Sequence, residues 1–240
     1  MDNNFNIIND RYEDTSAVSK TFLSSVFSWM AVALAITGIV AYEFGTTPEY
    51  IGMLFKPQGG MSILGYIIMF APLVFVFLIS GGYQRFSASV LLALYLVFSV
   101  LMGMSISYIF LIYTHSSIFQ IFFIASAMFG SMALLGYTTK TDLTKFGSIM
   151  IMGVIGIIIA SIINMFMHSS TMNYVISFIG VLVFTGLTAY DVQKLKEMGA
   201  KTEQGTESAS KLAIMGALTL YLDFINLFMF LLRLFGNRRS

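Results

Sequence analysis

The stretch Ala217–Gly236, ALTLYLDFINLFMFLLRLFG, is long and apolar enough to cross a bilayer, yet it holds Asp223 and Asn226 near its middle and Arg233 toward its end. An ionised carboxylate at the centre of an inserted helix costs about 2.5–3.5 kcal/mol on insertion scales. Such a group does not stay facing lipid. Wound as an α-helix, Gly216, Thr219, Asp223, Asn226, Phe230 and Arg233 fall on one stripe about 100° wide. The remaining faces are Leu, Ile, Phe, Met and Tyr. A helix with this small-and-polar side must turn it toward protein or water. It is predicted to be the centre of a helical bundle, with the other spans packed round it.

The bulk composition agrees. Of 240 residues, 57% are hydrophobic and only 10% charged, and the mean hydropathy is +0.83. Soluble domains are about a quarter charged. So many apolar residues cannot all lie inside a soluble domain of this size, so the chain reads as an all-α polytopic membrane protein. The net charge of +1 and the lack of a basic cluster give no sign of a nucleic-acid partner. With no cysteine, disulfides, thiolate metal sites and thiol nucleophiles are excluded.

A hydrocarbon core of about 30 Å asks for helices of about 20 residues, and seven such spans can be laid out. They are Phe22–Tyr42, Met61–Ser80 with Pro72 inside it, Phe86–Tyr113, Ile118–Tyr137, Phe146–Met167, Thr171–Tyr190 and Leu212–Phe235. A kink is expected at Pro72. The third span is too long for one upright helix and is expected to tilt or break near Gly103. Residues 1–20 read as a soluble polar tail without the basic start and apolar core of a signal peptide. Residues 21–236 form the single transmembrane domain, and residues 237–240 form a basic C-terminal tail. The longest polar link is expected over Val192–Lys211, with four lysines and three glutamates.

Loop charges set the orientation. With the N-terminus inside, Arg11, Lys20, Arg85, Lys140, Lys145, Lys194, Lys196, Lys201 and Lys211 are internal, and Lys56 is the one external basic residue before the C-terminus. A full seventh crossing then leaves Arg238 and Arg239 outside, against the bias. Six crossings and a re-entrant last segment are the alternative. The uninterrupted run Leu212–Phe235 favours seven.

Asp191, in FTGLTAYDVQKLK, and Asp223 are the residues that point to chemistry. Two acids close together in a low-dielectric site cannot both ionise cheaply, and the pair titrates in two macroscopic steps. Such a pair can sense pH. Ionised, it attracts a hard cation such as Ca²⁺, weakly, because two carboxylates fall short of the roughly six to eight oxygens of a tight site. Asp191 and Asp223 are therefore both the candidate gate and the candidate weak Ca²⁺ ligands. Thr219 and Asn226 are the supporting polar stripe. Arg85 is the candidate counter-ion, against its reading as a positive-inside anchor. Arg233 lies about 15 Å along the helix from Asp223 and reads as a snorkelling residue. His115 and His168 read as interface residues. Gly180 is eleven residues before Asp191 and shares its face, whereas Gly186 does not. Level helix ends would leave the two acids about 10 Å out of register, a gap that tilt or a later start of the last helix has to close.

Four stretches resemble the transmembrane Bax inhibitor motif family in its bacterial branch. They are FLSSVFSWMAVALAITGIVAYEFG, GYTTKTDLTKFGS, FTGLTAYDVQKLK and ALTLYLDFINLFMFLLRLFG. The resemblance implies a seven-helix bundle with the last helix central, in a bacterial inner membrane. It also implies a pH-sensitive calcium leak governed by an aspartate pair that maps onto Asp191 and Asp223. No cofactor is expected; Ca²⁺ and H⁺ are what the path handles, and the bilayer is the surrounding partner. For some relatives the resemblance implies a regulator bound to a membrane quality-control protease. The chain departs from the family in its long lysine–glutamate link, and it has no clear match to the basic residue that engages the acids in some relatives. An intramembrane aspartic protease would also use two acids, but Leu220-Tyr221-Leu222-Asp223 lacks the GxGD pattern of those enzymes. The chain is not expected to be an enzyme.

Overall fold

The structure is a computed structural model. It describes side chains for residues 18–56 and 59–239, with the backbone of the first helix defined from Asp2. Most of the polar tail therefore lies outside the residues whose side chains are described. The helices are α1 (Asp2–Thr46), α2 (Pro48–Leu54), α3 (Ile63–Gly82), α4 (Ala88–Ile106), α5 (Ile109–Ile112), α6 (His115–Thr138), α7 (Thr144–Met167), α8 (Ser170–Ala200) and α9 (Glu207–Phe235). Seven segments are long and apolar enough to cross a membrane: Val18–Thr46 of α1, α3, α4 with α5, α6, α7, α8 and α9. The protein is an all-α polytopic membrane protein with seven spans.

Helix starts follow a local rule. Ser62, Ser87, Thr114, Ser169 and Thr206 each sit just before a span and accept a hydrogen bond from the backbone N–H three residues on. Each satisfies one of the donors that a helix leaves open at its N-terminus.

The core forms around α9. Its Tyr221 side meets α1 and α4, where the Tyr221 ring lies edge-on to Phe98 at 5.4 Å. Its Phe224 and Phe228 side meets α6, with Phe224 edge-on to Phe122 at 5.4 Å and to Phe129 at 5.6 Å. The stripe holding Gly216, Asp223 and Phe230 meets α8. The lipid-facing load falls instead on α3 and α7, which keep most of their apolar side chains exposed.

α9 crosses completely, so the re-entrant alternative is set aside. Its first residue, Glu207, accepts from the Ala88 N–H at the start of α4. Beyond its last turn, Asn237 accepts from the Thr114 N–H at 3.0 Å, and the Arg239 N–H donates to the Ile112 carbonyl at 2.8 Å, at the opposite end of the bundle. One unbroken helix joins the two ends.

Two expectations need correction, and the proline of the second span is carried inside its helix. The third span breaks at Ser107–Tyr108, between α4 and α5, one turn beyond Gly103. Gly103 instead lets α4 approach α1, since a Cβ there would lie 2.7 Å from the Thr37 carbonyl oxygen. α3 runs through Pro72 without ending, and the Ser105 hydroxyl reaches the Met69 carbonyl in the turn that proline disrupts, at 3.5 Å. Most of the expected link Val192–Lys211 is helix. α8 continues to Ala200 because Val192 and Leu195 pack inward, and only residues 201–206 join it to α9.

Candidate functional site: the α8–α9 acid pair

Asp223 is 5% exposed, and Asp191 is half-buried. Their carboxyl groups come within hydrogen-bonding reach of each other. The way they meet follows from packing. The Phe184 ring of α8 stacks on the Phe230 ring of α9 with centroids 5.8 Å apart. Two turns on from Phe184 is Asp191, and two turns back from Phe230 is Asp223. The acids therefore lie on the same facing stripes as the aromatic stack.

Two glycines fix this register. The Phe230 ring occupies the space a Cβ on Gly180 would need, at 2.6 Å, and the Leu195 side chain does the same at Gly216, at 2.7 Å. With level ends, Asp191 would sit opposite Gly216. Fitting these large side chains into the glycine hollows slides α9 along α8 by one to two turns, about 6–10 Å. That slide closes the offset left by the rise per residue. Gly186 lies on another face of α8, against Phe146 and Met150 of α7.

Among the described residues, no N–H or O–H donor reaches the buried Asp223 Oδ2. Lys194, one turn beyond Asp191, holds its ammonium over the Tyr190 ring, 5.7 Å from its centroid. Among the described residues the sole ion pair is Lys211–Glu207, at the end of the bundle where α9 begins. Among the described residues, too, no third His, Cys, Asp or Glu joins the pair. The site is two carboxyls, with the Lys194 ammonium close enough for its charge to act on Asp191.

The remaining candidates are distributed differently. The Thr219 hydroxyl donates to the Met215 carbonyl at 3.1 Å, and the Asn226 amide donates to the Leu222 carbonyl at 2.8 Å. Both satisfy themselves on their own helix and bond to neither acid. Arg85 is exposed in the α3–α4 turn, at the end where Glu207 meets Ala88. Asp223 is sixteen residues further along α9, about 24 Å. The counter-ion expectation for Arg85 is therefore not met in this structure; its turn sits at the mouth of the bundle. Arg233 lies over the Phe230 ring at 5.4 Å, on the far side of the aromatic stack from the acids. His115 opens α6 with its ring edge-on to Phe110, and His168 caps α7 in the left-handed region.

Sequence reasoning missed the strap beside the pair. The α6–α7 link is fastened to α8 just past Asp191. The Gln193 side chain accepts from the Leu143 N–H at 2.8 Å and donates to the Thr141 carbonyl at 2.9 Å. Lys196 donates to the Tyr137 carbonyl at 2.7 Å and lies over the Tyr137 ring at 4.8 Å. Gly136 meets the Ala189 backbone directly. The positions sit in two of the quoted stretches, but nothing in the linear sequence pairs them. A buried Thr37–Tyr221 hydroxyl contact of 2.7 Å was likewise invisible.

Comparison with known proteins fits this arrangement. The family model described as inhibitor of apoptosis-promoting Bax1 matches residues 19–240. Inner membrane protein YbhL of Escherichia coli (strain K12) is 44% identical over 221 residues, covering 92% of this chain and 93% of that protein. An uncharacterized protein of Borreliella burgdorferi is 44% identical over 223 residues, covering 93% and 94%. Protein RP147 of Rickettsia prowazekii is 44% identical over 233 residues, covering 94% and 96%. Both acids, the strap and the central helix fall within the matched region, and the chain belongs to the Bax inhibitor-1 family of membrane proteins.

Proposed function

We propose that this protein is a pH-sensitive calcium leak of a bacterial inner membrane, held closed by a proton shared between Asp191 and Asp223. The observation that carries the reading is the meeting of two carboxyls from neighbouring helices inside the bundle. With one proton between them, the acids form a hydrogen bond that ties α8 to α9. With none, two unit charges at about 4 Å repel by about 4 kcal/mol at an effective dielectric constant of about 20. That exceeds the net worth of one ordinary hydrogen bond, about 1 kcal/mol. Losing the proton therefore favours separation of the helices at this level. The separated carboxylates then offer oxygen ligands to a divalent cation, too few to trap it. The donor-free Asp223 Oδ2 suits both roles.

In this reading the barrier of the closed state is an aromatic stack. Phe184 and Phe230 stand stacked between the acids and the C-terminal end of the bundle. Separating α8 from α9 unstacks them. The loop charges favour a cytoplasmic N-terminus, and the inner-membrane name of the E. coli relative supports the compartment. Arg85 has no part in this latch. The protein acts on no covalent bond in this reading.

Calcium entry into proteoliposomes loaded with a calcium dye tests it. Wild-type flux should rise as the pH is raised through the titration of the pair. Asp191→Asn and Asp223→Asn should each flatten the pH response, because an amide keeps a hydrogen bond without a titrating proton. Wild-type flux and pH response in both variants would sink the proposal. Cleavage of a helical membrane substrate, lost in the same variants, would favour the protease alternative instead.

A further inference from the structure

A cleft of about 500 Å³ opens where α5 and α8 part over the last turns of α9. Met229 and Leu232 form its back, and Ile112 and Tyr174, both exposed, flank it. Arg233 and Arg238 stand at its rim, and its lining contains no acid. Neither guanidinium has an ion-pair partner among the described residues.

These arginines sit where the charge bias says they should not. Among the described residues, eight of the twelve basic ones belong to the other end of the bundle, and two of the four at this end face this one cleft. Snorkelling accounts for Arg233 alone. Arg238 follows the helix in an extended tail that is tied down on both sides. The Asn237 N–H donates to the Ser117 hydroxyl at 2.9 Å, and the Arg239 N–H donates to the Ile112 carbonyl at 2.8 Å. The tail is held in place, so Arg238 is presented to the cleft and not left free in water.

An occupant must suit a cationic rim and an apolar wall at the level of the membrane interface. We propose that the cleft binds the phosphate of an anionic phospholipid in the leaflet at the C-terminal end of the bundle. The paired guanidiniums hold the phosphate oxygens through charge-assisted forks. The first part of an acyl chain lies against Met229, Leu232 and Ile112. A free phosphate ion shares the head chemistry but has no use for that wall.

Native mass spectrometry of the full chain in detergent, titrated with phosphatidylglycerol or phosphatidylcholine, tests the site. Wild type should hold one phosphatidylglycerol in preference to phosphatidylcholine. Counting about one basic-residue increment of lipid attraction per arginine, Arg233→Gln with Arg238→Gln should weaken that binding about 30-fold, and Arg238→Gln alone about fivefold. Arg85→Gln, at the other end, should leave it unchanged. The single Arg238→Gln variant decides the matter if the double variant does not fold. Equal retention of both lipids by wild type, or unchanged binding in the arginine variants, overturns the proposal. So does displacement of the lipid by millimolar inorganic phosphate, which would assign the site to the free ion. A change of oligomeric state without a change in lipid retention would assign the cleft to a second copy of the chain and overturns it equally.

Discussion

Alanine at Gly136 probes a backbone-to-backbone approach of α6 to α8 at Ala189, two residues before Asp191. A Cβ there would meet the Ala189 carbonyl oxygen, with the Ala189 carbonyl carbon at 2.8 Å and its Cα at 2.9 Å. All three are backbone atoms, so no side chain can swing away. Carbon contacts settle at about 3.5–4.0 Å, so α6 must retreat by about 0.6–1.2 Å. Overpacking of this kind costs about 1–3 kcal/mol. Gly130, on the same helix, has nothing within 4 Å of its added Cβ. Gly130→Ala changes the intrinsic helix preference by the same amount as Gly136→Ala, so that contribution cancels between the two variants. What remains is the packing cost alone. On the scaling for chains of this length, about 2–4 °C per kcal/mol, Gly136→Ala should melt about 2–12 °C below Gly130→Ala. Heating each variant in detergent and following the monodisperse fraction by size-exclusion chromatography reads the difference. Equal midpoints, or Gly136→Ala above Gly130→Ala, would show that α6 does not press on α8 here.

Two buried tyrosines should respond in opposite ways. Tyr221→Phe removes the 2.7 Å hydroxyl contact with Thr37 and should cost about 1 kcal/mol, whereas the Tyr95 hydroxyl is buried without a partner among the described residues, so Tyr95→Phe should be neutral or stabilising in the same melt; equal losses would contradict this. In the α6–α7 link, the Thr144 hydroxyl and then its N–H, the latter 2.8 Å from Asp142 Oδ1, hold the Asp142 carboxyl below its usual range. A lowered folded value means stabilisation that is present above the ordinary carboxylate pKa of about 4 and is lost as pH falls through the folded value. The melting difference between wild type and Asp142→Asn should therefore shrink from pH 7 to pH 3, and a pH-independent difference would refute the assignment.

Much of the architecture is legible in local sequence. Each of the seven runs between Phe22 and Phe235 becomes a span, because the length and apolarity that cross a bilayer are properties of the run itself. The place of the last helix was legible too, since a stripe carrying Asp223 cannot face lipid. Five of the helix starts are readable as well, in the Ser or Thr just before α3, α4, α6, α8 and α9. The end of α8 was not. Val192–Ala200 is rich in lysine and looks like a link, but Val192, Leu195 and the bonds of Gln193 and Lys196 hold it as helix against α1, α6 and the α6–α7 link.

The sequence by itself determined that a chain this apolar crosses a membrane seven times and that its two acids must be sheltered from lipid, because both follow from transfer energies of single residues. Only the tertiary structure decided that the acids meet. That depends on Phe230 entering the hollow at Gly180 and Leu195 the hollow at Gly216, which slides one helix along the other. Arg85 was left at the mouth of the bundle for the same kind of reason. Register between helices is a matter of shape fitted against shape, and neither strand of sequence carries it alone.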